Sequence, residues 1–568
     1  MSDRPLWYQH MSRRRWLLAA GSSWAYGACG SPFRTGVPVP VYAGVLQTPV
    51  APQCLSSVRY PVLIGQRGEL CSFDELARAT PVIYEAQSEP QLSALLCSVP
   101  EGKTVTFRGA GQSLDAQALN HDIVVVMSRD HFADIGEPEQ NERGTYQVTV
   151  GAAARWFDVI QKVAPLGLFP PSLVTSPDAT VGGTLSADCV SRLSCTSGKE
   201  GEQVRSFNIV LPSGEHRICR RDATDCEERR LFHAVIGGFG YLGAVTRVTF
   251  ELMAIRSYPN KPGEVPVVET RSTRHASNVD WDVVLKRLRS LSEINRSVFL
   301  ENMQRKGERG PQPKAQAPQW PALSIASYLT GYGMSANLLE QRFVEKRPLR
   351  RAPGGIYDGS SSFAAGAAYA AATFPTVAEF ALDMAFPDGA FIDDLMGWSF
   401  FIGNVANGAK RMAAEKNERF NFTQQSFALP AQVGARDDTR PTQRFIELMR
   451  ARLHRARLHP LNIDFLYTPA DKFLLSASRG LPAFVVTIAF AGKNQRELSP
   501  AVADVLMELS RDCRVLGGRV HLVKNVIADA DDLRAMHGDA ARQLRELKKQ
   551  YDPKNILRNQ FFDKVFAG

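Results

Sequence analysis

Apolar and polar positions change period several times along this chain. Short runs of β-branched and aromatic residues at 104–108, 123–127, 146–150 and 207–211 have strand composition. Between them, residues 154–163 switch to helical spacing, with Trp156, Val159, Ile160 and Val163 on one face. Residues 231–236 read as helix and 244–252 as strand. Strand patterns return at 420–430, 461–467 and 483–490, and helices are expected near 363–374, 501–511 and 530–549. The charged, Pro-rich segment 304–321 and the basic segment 346–355 read as solvated breaks. No unit of about 20–50 residues repeats, which disfavours a solenoid or propeller. The pattern predicts an α+β fold with irregular, glycine-rich connections.

The N-terminus follows other rules. Arg13-Arg14-Arg15 precede Trp16-Leu17-Leu18 and a short apolar run that ends near Ala28, diluted by Gly21, Ser22, Ser23 and Gly27. That run falls short of the roughly 20 apolar residues a membrane-spanning helix needs. A basic segment followed by a short apolar one reads as a secretory signal, and the paired arginines resemble a twin-arginine (Tat) signal. The expectation is a signal at 1–30, a linker at 31–60, and export of an already folded protein to a bacterial periplasm or beyond. Cys29 follows Tyr26-Gly27-Ala28, a poor lipoprotein box because Tyr26 replaces an aliphatic residue. Membrane association through a lipidated Cys29 stays open.

Composition removes classes more than it selects one. With 568 residues, 44% hydrophobic and 22% charged, the chain can bury a large core and is neither disordered nor a small disulfide scaffold. Lys and Arg exceed Asp and Glu by 67 to 58, and no basic run with interleaved aromatics accompanies the surplus. Nucleic acid is therefore not an expected partner. The nine cysteines include no CxxC pair, and no spacing suggests a metal site. Cys189 and Cys195 are close in sequence, but a protein folded before export keeps reduced thiols equally well, so pairing stays open.

Three glycine clusters bear on cofactor chemistry. Gly238-Phe239-Gly240-Tyr241-Leu242-Gly243 matches G-x-G-x-x-G by letter. A dinucleotide fingerprint needs a strand before and a helix after, and here the order is reversed. Arg108-Gly109-Ala110-Gly111-Gln112-Ser113 instead follows a strand, where successive backbone amides and the Ser113 hydroxyl can face a diphosphate. Thr180-Val181-Gly182-Gly183-Thr184-Leu185-Ser186 is a second turn flanked by hydroxyls.

In this order, RGAGQS at 108–113, ATVGGTLSA at 179–187 and LFHAVIGGFGYLGAVTRV at 231–248 resemble the FAD-binding domain of the vanillyl-alcohol oxidase superfamily. This PCMH-type fold includes cytokinin dehydrogenases, aldonolactone oxidases and decaprenylphosphoryl-ribose oxidase. YDPKNIL at 551–557 resembles the segment by which such chains return to the flavin domain. The resemblance implies an FAD-binding domain of two α+β subdomains at 61–252, with the cofactor extended between them. It further implies an α+β substrate domain with an antiparallel sheet at 253–525 and a returning segment at 526–568. Gly109, Ala110, Gly111 and Ser113 would hold the diphosphate. Thr180, Gly182, Gly183 and Ser186 would approach the diphosphate and the flavin, and Val245 would flank the cofactor by its backbone.

Two departures limit the inheritance. Gln112 stands where many relatives carry a His bonded covalently to FAD, so the cofactor is expected to be non-covalent. Thr175 stands where cytokinin dehydrogenases place an acidic base, five residues before Thr180, and Asp178 is not at that position. This argues against cytokinin as the substrate.

Flavin oxidation asks the protein to orient a donor C–H, take the adjacent proton and stabilise the reduced ring. Gly517-Gly518-Arg519-Val520-His521-Leu522-Val523-Lys524 reads as a turn and strand, and Lys524 matches a flavin-facing Lys of decaprenylphosphoryl-ribose oxidase. On a strand, Arg519 and His521 would share one face and Lys524 the other, so they would act together only if the strand ends in a bulge. Gln425, in the strand pattern at 420–430, resembles a Gln that bonds near the ring. His233 stands alone on a helix and reads as structural. The expected function is an exported FAD-dependent oxidoreductase taking a hydride from an alcohol, sugar or lactone carbon, with oxygen or a membrane carrier as acceptor. A C=C reductase of the sterol-reductase type and a non-catalytic flavin binder are the competing readings. Reduced nicotinamide is absent outside the cytoplasm, which disfavours the reductase.

Overall fold

The computed structural model describes residues 65–566 except 142–144, 256–266, 276–278, 305–320, 331–332, 345–358, 376 and 378–387. The signal, the linker and nearly all of the two expected breaks lie outside the described residues.

Two sheets form within residues 65–254. In the first, Val82–Ala86, Ile123–Met127 and Val105–Arg108 lie parallel in that order. Parallel strands are covered on both faces, which is why Ile123–Met127 reads IVVVM without alternation. Helix Glu89–Cys97 is capped by Ser88, whose hydroxyl accepts from the Gln91 amide at 3.3 Å. It packs Leu92, Leu95 and Leu96 into the same cluster as Val105, Ile123 and Val125.

The second sheet is antiparallel, in the order His216–Arg220, Val204–Val210, Ala244–Ala254, Tyr146–Gly151. Helix Trp156–Val163 buries Trp156, Val159, Ile160 and Val163 in its core, the stripe the spacing predicts. Around 238–243 the order is helix Cys226–Val235, glycine turn, strand Ala244–Ala254, so those glycines form no dinucleotide fingerprint. The C-terminal segment lies against this region. The Val105 amide donates to Ile556 O at 2.7 Å, and the Tyr241 hydroxyl donates to Asn559 Oδ1 at 2.9 Å.

Downstream, eight strands make one antiparallel sheet. Its order is Gly389–Asp394, Val267–His275, Gly333–Val344, Ala322–Thr330, Asn462–Thr468, Ala483–Lys493, Phe420–Pro430, Arg519–Val520. Alternate side chains point to opposite faces. One face, with Phe427, Ile463, Phe465 and Val486, packs on helices Trp281–Gln304, Arg440–Ala456 and Pro500–Val515. Trp281 meets Phe465 and Phe445 meets Phe427, each pair 5.0 Å between ring centroids. The opposite face, with Leu339, Gln341, Gln424, Asp464 and Thr487, turns toward the glycine-rich domain.

Four of these strands, Gly389–Asp394, Val267–His275, Ala322–Thr330 and Gly333–Val344, are not announced by the pattern. Val267–His275 and Gly333–Val344 bury Thr270, Ser272, Asn337 and Gln341, polar residues that blur the alternation. The strand expected through 524 ends at Val520, and residues 521–524 leave the sheet in a turn.

Candidate active site

The first glycine turn supplies free backbone donors. Among the described residues, none of the amides of 109–113 meets a protein acceptor. Gly111 has a φ of 73°, a left-handed conformation that suits glycine. Arg108 folds back beneath the turn and donates to Cys71 O at 2.8 Å. Gly109 sits directly against Thr180 of the second turn, and a β-carbon on it would overlap the Thr180 hydroxyl. The two turns therefore meet in space.

The second turn bonds largely within the protein. The Val181 amide donates to Ala154 O and the Gly182 amide to Ala152 O, both at 2.9 Å. The Gly183 amide donates to Thr180 Oγ1 at 3.3 Å, and the Ser186 hydroxyl to Gly182 O at 2.8 Å. The Val181, Gly182 and Gly183 amides and the Ser186 hydroxyl are thus satisfied within the protein, whereas the Thr180 hydroxyl only accepts and keeps its own proton to donate. Gly182 is there for packing, since its β-carbon would lie 2.6 Å from that of Ala152. Val245 is a buried strand residue paired with Ile209.

A cavity of about 520 Å³ lies between this domain and the polar face of the large sheet. Gln112, Thr175 and Ser176 contribute from the glycine-rich domain, and His521 and Lys524 from the turn after Val520. Gln112 is held by the Ser176 hydroxyl, which donates to its Oε1 at 2.9 Å. The Lys524 turn is pinned from both domains. Gln117 Nε2 donates to Leu522 O at 3.0 Å and Lys524 O at 2.9 Å. Asn525 Nδ2 donates to Asp74 Oδ2 and Leu114 O, both at 2.8 Å, and its Oδ1 accepts from the Gln424 amide at 2.9 Å.

Because the chain leaves the sheet at 521, His521 and Lys524 reach one cavity instead of opposite faces, correcting the strand-based expectation. Arg519 stays outside it, donating to Arg479 O at 3.1 Å. Burial lowers the Lys524 ammonium below the usual lysine range, partly offset by Cys189 and Asp464. Burial, with Lys199 and Lys524 nearby, pushes His521 well below the usual imidazole value, so it is neutral near pH 7.

Gln425 is not on the cavity wall. Strand parity sends it to the helix face, where Nε2 donates to Ser510 Oγ at 2.7 Å and Oε1 accepts from the Ile527 amide at 2.7 Å. The cavity-facing glutamine is its neighbour Gln424. Asp464 also faces the cavity and was missed by sequence reading. The signal was available: in Asn462–Thr468, Ile463, Phe465 and Tyr467 alternate as a core face, which leaves Asp464 on the other.

Behind the cavity a buried ionic cluster joins the domains. The Lys199 ammonium bonds to Asp188 and Ser476 and lies 3.2 Å from Asp471 Oδ2. Glu200 is buried beside it and accepts from Thr184 Oγ1 at 2.6 Å; burial raises its carboxyl well above the usual range. Among the described residues no cluster of His, Cys, Asp and Glu could hold a metal ion, and no helix is long and apolar enough to cross a membrane.

These residues fit an FAD diphosphate at the first turn: adjacent free amides, a glycine with no room for a β-carbon, and a cavity of about 520 Å³ beyond. Comparison with known proteins agrees, since residues 80–220 match the family described as FAD binding domain. The chain thus carries an FAD-binding domain of the vanillyl-alcohol oxidase superfamily, and FAD is its cofactor. It is similar to cytokinin dehydrogenase 8 of Oryza sativa subsp. indica, 34% identical over 171 residues, which are 28% of this chain and 31% of that protein. Cytokinin dehydrogenase 5 of Arabidopsis thaliana is 34% identical over 149 residues, 26% of this chain and 27% of its own. An uncharacterized oxidoreductase of the fasciation locus of Rhodococcoides fascians is 29% identical over 200 residues, 34% of this chain and 43% of its own. The chain spans about three-tenths of the length of the cytokinin dehydrogenases it matches.

Proposed function

We propose that the protein is an exported FAD-dependent oxidoreductase that oxidises a CH–OH carbon of a small alcohol, sugar or lactone. The observation that carries this reading is the cavity where Gln112, from the turn with free amides, shares a wall with Lys524. FAD supplies a two-electron hydride acceptor. The chain's own groups bind the donor against the polar sheet face, exclude water and hold Lys524 as a cation. Gln112 cannot form the covalent link of a His, so FAD dissociates. Thr175 on the wall offers no carboxylate, which separates this site from one built for cytokinin. The Arg13-Arg14 signal supports delivery to the periplasm, with Cys29 as a site for lipid attachment. Oxygen or a membrane carrier takes the electrons.

Purified protein should be yellow and should release its colour on acid precipitation. Anaerobic mixing with a panel of primary and secondary alcohols, aldoses and aldonolactones should bleach it. A protein that binds flavin and is bleached by none of these would overturn the reading. Lys524→Met should keep the flavin and slow bleaching by about 10²-fold or more, the scale of a lost preorganised charge; an unchanged rate removes Lys524 from the mechanism.

A further inference from the structure

Thr175 leaves the flavin-domain wall without a carboxylate, yet oxidation of an alcohol must deliver a proton somewhere. The sheet face opposite carries one. Asp464 pairs with Ala326 on one neighbouring strand and Thr487 on the other, both also on the cavity wall. It is half-buried and directed into the cavity by strand parity. Asn462 Nδ2 donates to its Oδ2 at 2.7 Å, and Oδ1 has no partner among the described residues.

We propose that Asp464 is the proton acceptor for the donor hydroxyl, an assignment that rests on the oxidoreductase reading of this cavity. As the alcohol C–H leaves with its bonding pair as hydride to oxidised FAD, the O–H proton passes to Asp464 Oδ1. The C–O bond becomes C=O, so two electrons and one proton go to the cofactor and one proton to the carboxylate. Lys524 and Arg192 are the cations acting on Asp464. His521 and Cys189 also line the wall; burial keeps the first uncharged and raises the thiol far above its usual range. Burial pushes the Asp464 carboxyl up to about 6, so it is a competent base just above that pH. Asp188 is also pushed up to about 6, but it is enclosed by Lys199 and Asp471 off the cavity wall.

The test uses flavin-loaded parent and Asp464→Asn proteins. With the alcohol of the panel that bleaches the parent fastest, the variant should keep the flavin spectrum and bleach about 10²- to 10⁴-fold more slowly at pH 8. The parent rate should rise through pH 6, and that rise should vanish in the variant. Thermal melting gives a readout independent of turnover. Because folding raises the carboxyl from 3.8 to about 6, its ionisation opposes the fold above pH 6 and not below pH 4. The melting point of Asp464→Asn relative to parent should therefore increase between pH 4 and pH 8. Equal bleaching by parent and variant, or a melting difference flat in pH, overturns the assignment. Failure of every alcohol to bleach the parent overturns the underlying reading of the site, and the assignment with it.

Discussion

Gly109→Ala is a small change with a calculable effect. Gly109 does not need a left-handed backbone, so the added methyl meets one obstacle, the Thr180 hydroxyl. That oxygen must retreat by more than half an ångström before the 3.0 Å floor of real β-carbon contacts is reached. Thr180 Cβ and Cγ2, at 3.6 and 3.7 Å, are already at ordinary contact distance. The free protein can relax by parting the two turns, whereas a diphosphate held by the amides of 109–113 needs the first turn in place. Overpacking of this kind costs about 1–3 kcal/mol, which weakens FAD binding roughly 5- to 150-fold. Thr180→Ala removes the obstructing oxygen at the cost of the Gly183 amide bond, about 1 kcal/mol. The double variant should bind FAD nearly as well as Thr180→Ala alone, so the two substitutions couple. Fluorescence titration of FAD into flavin-free protein measures all four affinities. The reasoning is refuted if Gly109→Ala binds FAD like the parent, or if adding Thr180→Ala restores nothing.

Gln425→Ala removes buried hydrogen bonds to Ser510 and Ile527 and should cost about 2–4 kcal/mol in chemical denaturation without altering the flavin spectrum. Gln424→Ala should do the reverse, changing KM for the donor with little loss of stability, because its side chain faces the cavity. Lys199→Met leaves Asp188 and Asp471 facing each other without a cation in a buried site. It should destabilise the protein by about 3–5 kcal/mol, measured by urea unfolding at pH 7.

Local rules already written in the chain account for much of this protein. The helix stripe from Trp156 to Val163, the all-apolar strand Ile123–Met127, the reversed order around Gly238 and Gly243, and the glycine turn after Arg108 each follow from neighbouring residues. Periodicity and turn chemistry act over short distances. The tertiary structure decided where those pieces meet. It placed Gly109 against Thr180, and it satisfied the Val181 and Gly182 amides through Ala154 and Ala152 while leaving the amides of 109–113 free. It ended a strand at Val520, which turned Lys524 toward the cavity. It also set the parity of Phe420–Pro430 so that Gln424, and not Gln425, faces the site. Asp464 gained meaning only when the sheet carried it beneath the flavin domain, because burial and opposing charge are properties of the space around a residue.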